Sequence, residues 1–245
     1  MKNVWTQITE NLDHVAGFAG TVAAMFLIAF LFETYFRKRN KTTGRILSTK
    51  KVTMIGMFSA IAMILHLFDF PIPFLAPGFY KLDLSEIPVL ICAFAYGPVA
   101  GVFTEFCKIL LKLLFKSTST AFVGDLANFA VGCVLVLPAS ILYQFKKTKK
   151  RAILSCAVGT LCMAVFGAVF NAVYLLPAFA VLFMGDAGAV DSFVAMGHDI
   201  IPLITDVTTF ALFSVAPINI LKGIMASIPT MLIYKPLSPL LKDNR

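Results

Sequence analysis

The chain has 245 residues, of which 59% are hydrophobic and only 14% are charged, and its mean hydropathy is +0.86. A soluble domain needs more polar surface than this, so the chain is predicted to be an all-α integral membrane protein with about six or seven spans and no soluble domain. The net charge of +8 does not predict a nucleic-acid partner, because the basic residues gather at the ends of apolar runs, where membrane orientation explains them.

The first predicted span runs from Val15 to Phe36 and is followed by a basic cluster. Basic residues favour the cytoplasmic side, so the cluster predicts a cytoplasmic linker and an N-terminus outside the cell. A signal peptide would carry its basic residues before the apolar run and a cleavage site after it, so this segment is interpreted as a retained helix. The cluster consists of Arg37, Lys38, Arg39, Lys41, Arg45, Lys50 and Lys51.

The second predicted span, Val52 to Phe70, leads into a connection rich in proline, aromatic and ionisable residues. Its direction of crossing places the segment from Pro71 to Leu84 on the outer face. Aromatic, proline-rich connections between rigid helices are typical of lids and ligand-facing walls. This loop is therefore predicted to border a ligand site.

Five further spans are predicted after this loop, and a second basic cluster divides them. Four crossings separate the two clusters, so both lie on the cytoplasmic side of the bacterial cell membrane, as does the C-terminus with Lys235, Lys242 and Arg245. The spans run from Ser85 to Tyr96, Val99 to Phe115, Phe122 to Phe145, Ala152 to Phe183 and Val207 to Tyr234, and the second cluster is Lys146, Lys147, Lys149, Lys150 and Arg151.

Glycine and proline predict short or broken helices at several points in these spans. Such breaks are tolerated in a membrane where the freed backbone groups find partners or line a cavity. The positions are Gly97-Pro98, Pro138, Pro177, Pro217 and Pro229.

Ionisable residues inside the spans are candidates for function, because a charge in hydrocarbon is costly and faces protein or a cavity. Glu105, Lys108 and Lys112 share one helix face, which fits either an internal ion pair or a docking or ligand surface. Asp125 and Asn128 begin the next helix, where Asp125 fits a cap or helix-dipole partner as well as a functional group.

The polar residues Asn171, Asn219 and Lys222 lie deeper in the last two spans. Asn171 has amide groups that need partners, which a helix-helix hydrogen bond or a ligand would supply. Asn219 and Lys222 lie one turn apart on one face of the last helix. Lys222 is too far from either end to reach water easily, so it needs a partner or a wet cavity.

Motifs for catalysis and metal binding are absent from the sequence. The five cysteines form no C-x-x-C pair or Cys/His cluster and are interpreted as packing residues, so no metal site is expected. There is no Walker glycine loop, H-E-x-x-H or G-x-S-x-G motif. The chain is therefore predicted to have no catalytic residues and not to be an enzyme.

Several motifs, in order, resemble the substrate-binding S components of energy-coupling factor (ECF) vitamin transporters, and most resemble the riboflavin-specific members. The resemblance covers Lys50 to Lys235, and it implies a six-helix substrate-binding domain, residues 52–245, preceded by an additional helix and linker, residues 1–51. The motifs are the loop ending Lys81-Leu82-Asp83-Leu84-Ser85-Glu86-Ile87-Pro88, the turn Tyr96-Gly97-Pro98-Val99-Ala100-Gly101, the run Gly124-Asp125-Leu126-Ala127-Asn128-Phe129 and the final Asn219-Ile220-Leu221-Lys222-Gly223.

The resemblance implies a riboflavin site that opens to the outside, with riboflavin as transported ligand and no cofactor. Asn219 and Lys222 match the polar pair of the family's last helix. The preceding helix would supply ring or ribityl contacts, and the first loop would close the pocket. These further residues are Gly167, Ala168 and Asn171 on the helix and Phe74, Leu75 and Ala76 in the loop.

The resemblance also implies partners, namely a transmembrane coupling subunit and two ATPases. Gly56 and Ala60 form a small-x-x-x-small pair on the first core helix, the kind of stripe the family uses to dock on the coupling subunit. Packing within the monomer is the alternative interpretation of this pair.

Because of two departures from the family pattern, the resemblance does not decide which vitamin is bound. The N-terminal helix is additional to the usual six, and the segment from Gly185 to Asp206 is longer than the family needs, which would suit an altered outer lid and another vitamin. Outside the family, a stand-alone ion-coupled carrier would use Glu105, Lys108 and Lys222 as its relay, and an intramembrane enzyme lacks a nucleophile and base.

Overall fold

The computed structural model describes residues 12–41, 45–118 and 120–241, with the side chains of 12–14, 187 and 237–241 left out. The N-terminus, Lys242 and Arg245, whose membrane side the sequence predicts, lie outside the described residues. The structure has ten α-helices in this part of the chain. They are α1 (Leu12–Arg39), α2 (Thr49–Leu67), α3 (Glu86–Tyr96), α4 (Pro98–Phe115), α5 (Val123–Phe145), α6 (Lys149–Phe170), α7 (Leu176–Met184), α8 (Val190–His198), α9 (Val207–Phe210) and α10 (Ala216–Leu241).

Five helical stretches are long and apolar enough to cross a membrane, which confirms the prediction of an all-α, multi-pass membrane protein. Two of them join consecutive helices, since α6 runs on into α7 and α9 into α10. The five are Val15–Arg39, Thr49–Leu67, Val123–Phe145, Lys149–Met184 and Val207–Pro236.

The predicted spans at α3 and α4 fall outside this set for different reasons. α3 has 11 residues, which reach roughly 16 Å at 1.5 Å per residue, about half of a hydrocarbon core. α4 has 18 residues but carries Glu105, Lys108 and Lys112. The two helices meet at Gly97, whose φ of 101° lies in the left-handed region that favours glycine, and Pro98 starts α4.

The last two long helical stretches are widened by π turns directly before a proline. The Leu176 N–H donates to the carbonyl of Asn171, five residues earlier, and the Ala216 N–H donates to Ala211 in the same way. Pro177 and Pro217 follow at once and lack the N–H that a regular helix would use, so the helix widens instead of breaking. At Pro138 and Pro229 the helices continue.

The main core lies among α2, α3, α5, α6 and α10, and α1 packs outside it against α4 and α5. Glu33 attaches α1 to the core, because its carboxylate lies 3.3 Å from the Lys51 ammonium at the start of α2. The same carboxylate reaches the turn between α3 and α4, where a Cβ on Gly97 would collide with it.

The loop between α2 and α3 contains two short antiparallel strands that the sequence did not predict, β1 (Phe70–Pro71) and β2 (Lys81–Leu82). Between the strands, the loop presents aromatic rings to helices α8 and α9. Phe79 packs against Phe193 of α8 with ring centroids 5.3 Å apart, and Tyr80 lies near Phe210 of α9 at 6.0 Å.

The segment from Gly185 to Asp206, predicted as an outer lid, contains a 3-10 turn (Ala187–Ala189) and α8. Its apolar residues pack with α7, α9 and the loop aromatics in one cluster. The loop and the outer segment therefore form one packed layer at the end of the bundle.

Candidate ligand-binding cavity

A cavity of about 300 Å³ lies under the loop and outer segment, between α4, α5, the first π turn and α10. This volume is at the lower end of the usual range for small-molecule sites. Its walls combine aromatic and aliphatic side chains with amides and charges. The lining residues are His66, Asp69, Phe79, Tyr80, Lys81, Asp83, Lys112, Lys116, Ser117, Thr120, Gly124, Asp125, Ala127, Asn128, Val131, Asn171, Leu175, Phe179, Ile218, Asn219 and Lys222.

Two amides meet at the inner wall, each beside a π turn. The Nδ2 of Asn171 donates to the Gly167 carbonyl at 2.7 Å, and that of Asn219 donates to the Val215 carbonyl at 2.9 Å. A Cβ on Gly167 would lie 2.5 Å from Asn219 Nδ2, so glycine is what lets this amide approach α6. The Oδ1 of Asn219 accepts no hydrogen bond from the described residues, which leaves it available to a ligand.

Tyr80 connects the loop to this amide wall. Its hydroxyl donates to Asn171 Oδ1 at 2.6 Å, and burial raises the pKa of Tyr80, which keeps the phenol protonated as a donor. A ligand that takes this position on Asn171 must displace the Tyr80 hydroxyl. The bond therefore ties occupation of the amide wall to the position of the loop.

Lys222 lies at the base of the cavity and is held by the loop. Its ammonium donates to Asp83 Oδ2 at 3.1 Å and lies 3.6 Å from Glu86 Oε1. His66 Nδ1 lies 3.3 Å from the same Asp83 oxygen. Burial raises the pKa of Asp83, but the Lys222 charge and the nearby His66 side chain outweigh it and hold that pKa well below its usual range.

A fully buried ion cluster adjoins Lys222. The Lys108 ammonium lies 2.6 Å from Glu105 Oε1 and 3.0 Å from Glu86 Oε1, and it donates to Ser85 Oγ at 3.1 Å. Lys108, Glu86 and Glu105 are each inaccessible to solvent. Glu86 thus joins Lys108 on α4 to Lys222 on α10, so the cluster links the cavity base to three helices.

Further charges line the opposite wall. Lys112 pairs with Asp125 at 2.6 Å, and Lys81 donates to Asp69 at 3.2 Å near the mouth. The predicted pair of Asp125 and Asn128 therefore lies in the cavity, with Asp125 engaged by a lysine and Asn128 donating to the Gly124 carbonyl.

The structure brings together only some of the predicted site residues. Asn171, Asn219 and Lys222 line the cavity, and Gly167 lies directly behind Asn219. Ala168 is the next residue along α6 and is not among the lining residues.

The three loop residues predicted to close the pocket are not among its lining residues. Phe74 is 77% exposed, while Leu75 and Ala76 pack against the buried Ile218 of α10, which itself lines the cavity. The Leu75 carbonyl accepts a hydrogen bond from Ser214 at 2.9 Å, which fixes this part of the loop to the second π turn.

Gly56 and Ala60, the predicted docking pair, are exposed on the outside of α2. A Cβ on Gly56 would meet no atom within 4 Å, so this surface is open for close approach. Exposed Met57, Ile61 and Ile64 surround the pair on the same helix.

Sequence reasoning missed the roles of Tyr80, His66 and Asp83. Tyr80 and Asp83 belong to a loop that was recognised as unusual, but their partners are distant in the chain. His66 is the only ionisable residue of the second half of α2, and that signal could have drawn attention to it. Within the described residues no group of three or more His, Cys, Asp or Glu side chains could hold a metal ion.

Comparison with known proteins places this architecture in a family. Residues 50–234 match the family model described as "ECF transporter, substrate-specific component". A solved structure described as "Structure and mechanism of the S component of a bacterial ECF transporter" aligns with a TM-score of 0.60 and 33% identity, and the match covers 79% of this chain and 98% of that one.

Curated relatives give the same result. The chain is 30% identical to riboflavin transporter FmnP of Bacillus subtilis (strain 168) over 200 residues, 81% of this chain and 97% of the relative. It is 33% identical to riboflavin transporter RibU of Staphylococcus aureus (strain TCH60) over 193 residues, 79% of this chain and 93% of the relative. RibU of Streptococcus thermophilus is 28% identical over 92% of this chain, a match that extends into the first 49 residues.

Proposed function

This chain belongs to the family of ECF transporter substrate-specific components, which are transport proteins and not enzymes, and on that premise we propose that it captures riboflavin outside the cell for import. The observation that carries the proposal is the convergence of Asn171, Asn219 and Lys222 in one cavity beneath an aromatic loop. Relatives named as riboflavin transporters support the choice of ligand.

The amide wall suits the edge of a flavin ring. That edge alternates hydrogen-bond donors and acceptors, and Asn219 Oδ1 is available to accept while Asn171 offers an acceptor once Tyr80 moves. The Lys222 ammonium adds a charged donor at the cavity base. Apolar side chains of Leu175, Phe179 and Ile218 provide a surface for the dimethylbenzene end of the ring.

The loop is the cover of this site. Tyr80 holds it to Asn171, while Leu75 and Ala76 anchor its other part against α10. When riboflavin enters, it replaces the Tyr80 hydroxyl on Asn171 and the loop closes over the ligand. Gly167 acts indirectly in this arrangement by making room for Asn219, and Phe74 and Ala168 act at the margin of the loop and helix.

The proposed topology has an additional helix, residues 1–51, and a six-helix substrate-binding domain, residues 52–245. The basic residues that follow α1 and α5 support a topology in which both clusters and the C-terminus are cytoplasmic and the N-terminus is outside. The cavity lies at the end of the bundle away from these clusters, which makes it face outward. A coupling subunit and two ATPases complete the importer, and the open surface at Gly56 and Ala60 is the proposed contact with the coupling subunit.

Uptake by reconstituted vesicles tests this function. Vesicles with the protein, the coupling subunit and both ATPases are expected to accumulate labelled riboflavin only when ATP is present, and vesicles with this protein alone are expected to accumulate none. Gradient-driven uptake by the protein alone would overturn the proposal in favour of an ion-coupled carrier. ATP-dependent uptake of another vitamin, but not riboflavin, would assign the same machinery a different ligand.

A further inference from the structure

A second cavity, of about 600 Å³, lies at the opposite end of the bundle from the proposed flavin site. It is formed by the ends of α3 and α5, the start of α6 and the last part of α10. Most of its wall is aromatic or aliphatic. The lining residues are Phe94, Tyr143, Lys147, Thr148, Lys149, Ala152, Ile153, Ile228, Met231, Leu232, Tyr234, Lys235 and Pro236.

This cavity opens sideways between α6 and α10. Ile153 on α6 and Ile228 and Leu232 on α10 line it and are also 49%, 51% and 71% exposed. Both helices belong to stretches that cross the membrane, so exposed aliphatic side chains at this depth face hydrocarbon. An acyl chain can therefore enter the cavity from the bilayer without crossing water.

Three lysines line the polar end of the same cavity, namely Lys147, Lys149 and Lys235. Lys149 begins α6 and Lys235 lies in the last part of α10, and both are exposed. Neither ammonium has an acidic partner within the part of the chain that the structure describes. Positive charge beside an apolar slot at a membrane surface matches an amphipathic molecule with a negative head.

We propose that this cavity binds one phospholipid with an anionic headgroup. One acyl chain lies in the slot between Ile153 and Ile228, and the headgroup phosphate lies between the ammonium groups of Lys149 and Lys235. This end is cytoplasmic in the proposed topology, and anionic lipids are attracted to basic residues at that membrane surface. The lipid would join α6 to α10 at the end of the bundle opposite the flavin site.

Native mass spectrometry of the detergent-purified protein, titrated with phosphatidylglycerol or phosphatidylcholine, tests this site. The wild type is expected to bind one phosphatidylglycerol roughly ten-fold to thirty-fold more tightly than phosphatidylcholine, because two lysines each attract the negatively charged headgroup. The double variant Lys149→Gln/Lys235→Gln is expected to lose this preference.

The matched control is Lys146→Gln/Lys150→Gln, which removes the same number of charges, from lysines of the second basic cluster whose side chains lie outside the cavity lining. It is expected to keep the preference within about two-fold. Ala152→Trp, which fills the slot, is expected to weaken both lipids. Unchanged elution and thermal midpoint will identify folded variants, and the control pair and Ala152→Trp supply independent readings if one variant fails to fold.

Three results would overturn the proposal. They are equal binding of the two lipids by the wild type, equal losses in the test and control pairs, and displacement of phosphatidylglycerol by inorganic phosphate, which would identify a site for free phosphate. A fourth result would also contradict a lipid site. In it, assembly with the coupling subunit removes the bound lipid while substitution of the lysines has no effect, which would mean that the coupling subunit occupies the slot.

Discussion

Lys222 of the last helix and Asp83 of the first loop form a buried ion pair, with 3.1 Å between Nζ and Oδ2. The pair joins residues 139 positions apart and sits at the base of the proposed flavin site. Because Asp83 also faces His66 on α2, it connects the loop, the first core helix and the last one through a single carboxylate.

Substitution of Lys222 tests whether its charge contacts the ligand. Lys222→Ala is expected to weaken riboflavin binding by at least about ten-fold, since a charged hydrogen bond is worth about 1.5 to 3 kcal/mol. Asp83→Asn is expected to weaken it less, because Lys222 keeps Glu86 at 3.6 Å. Isothermal titration of both variants beside Lys146→Ala, an exposed lysine in the basic cluster, will measure this, and wild-type affinity in Lys222→Ala would remove this residue from the site.

The Tyr80 hydroxyl competes with the ligand for Asn171 in the proposed mechanism. Tyr80→Phe keeps the aromatic contact with Phe210 but removes the 2.6 Å hydrogen bond to Asn171. Riboflavin is expected to bind roughly five-fold more tightly to this variant, because a neutral hydrogen bond of about 1 kcal/mol no longer has to be broken. Stopped-flow binding with Tyr35→Phe, an exposed tyrosine on α1, as control will check this. A loss of affinity would mean that Tyr80 itself contacts the flavin.

The buried ion cluster is expected to stabilise the fold only as a whole. Lys108→Met leaves Glu105 without its ammonium partner in a fully buried site and leaves Glu86 with only Lys222, at 3.6 Å, at a cost of about 3 to 5 kcal/mol. Lys112→Met, in which the lysine is partly accessible beside Asp125, is the matched comparison and is expected to cost less. Thermal unfolding midpoints in detergent will rank the two. An equal or smaller drop for Lys108→Met would contradict this prediction.

The open surface of α2 is expected to serve the coupling subunit and not the ligand. Gly56→Leu fills a place where a Cβ meets nothing within this chain, so flavin affinity should stay within about two-fold. Assembly with the coupling subunit is expected to fail because the backbones can no longer approach closely. Gly20→Leu, at an equally open glycine on α1, is the control for co-purification. Normal assembly of Gly56→Leu would place the contact elsewhere.

The sequence predicted the helical architecture because hydrophobicity and basic clusters are local signals. Asn171, Asn219 and Lys222 were recognised as unusual within their own helices, and the structure brings these three into one cavity. The roles of Tyr80 and Asp83 were not recognised because their partners are distant in the chain. Tyr80 lies 91 residues from Asn171, and Asp83 lies 139 residues from Lys222. A single sequence contains no signal for such pairings.

The prolines give a second example of a feature that the local sequence predicted only in part. Pro177 and Pro217 predicted breaks, and both mark real irregularities, yet the backbone widens into π turns that keep the helices continuous. The choice between a break and a π turn depends on the packing of neighbouring helices, which acts beyond the local sequence. The close approach of Asn219 to Gly167 likewise follows from packing.

Titration of riboflavin into the detergent-purified protein, followed by quenching of flavin fluorescence, tests the central claim most directly. The proposal predicts saturable binding of one flavin per chain, weakened by about ten-fold or more in Asn219→Ala and unchanged in Asn40→Ala, an exposed asparagine beyond α1. Absence of quenching by the folded wild-type protein, or equal affinity in Asn219→Ala, would contradict a flavin site at this cavity.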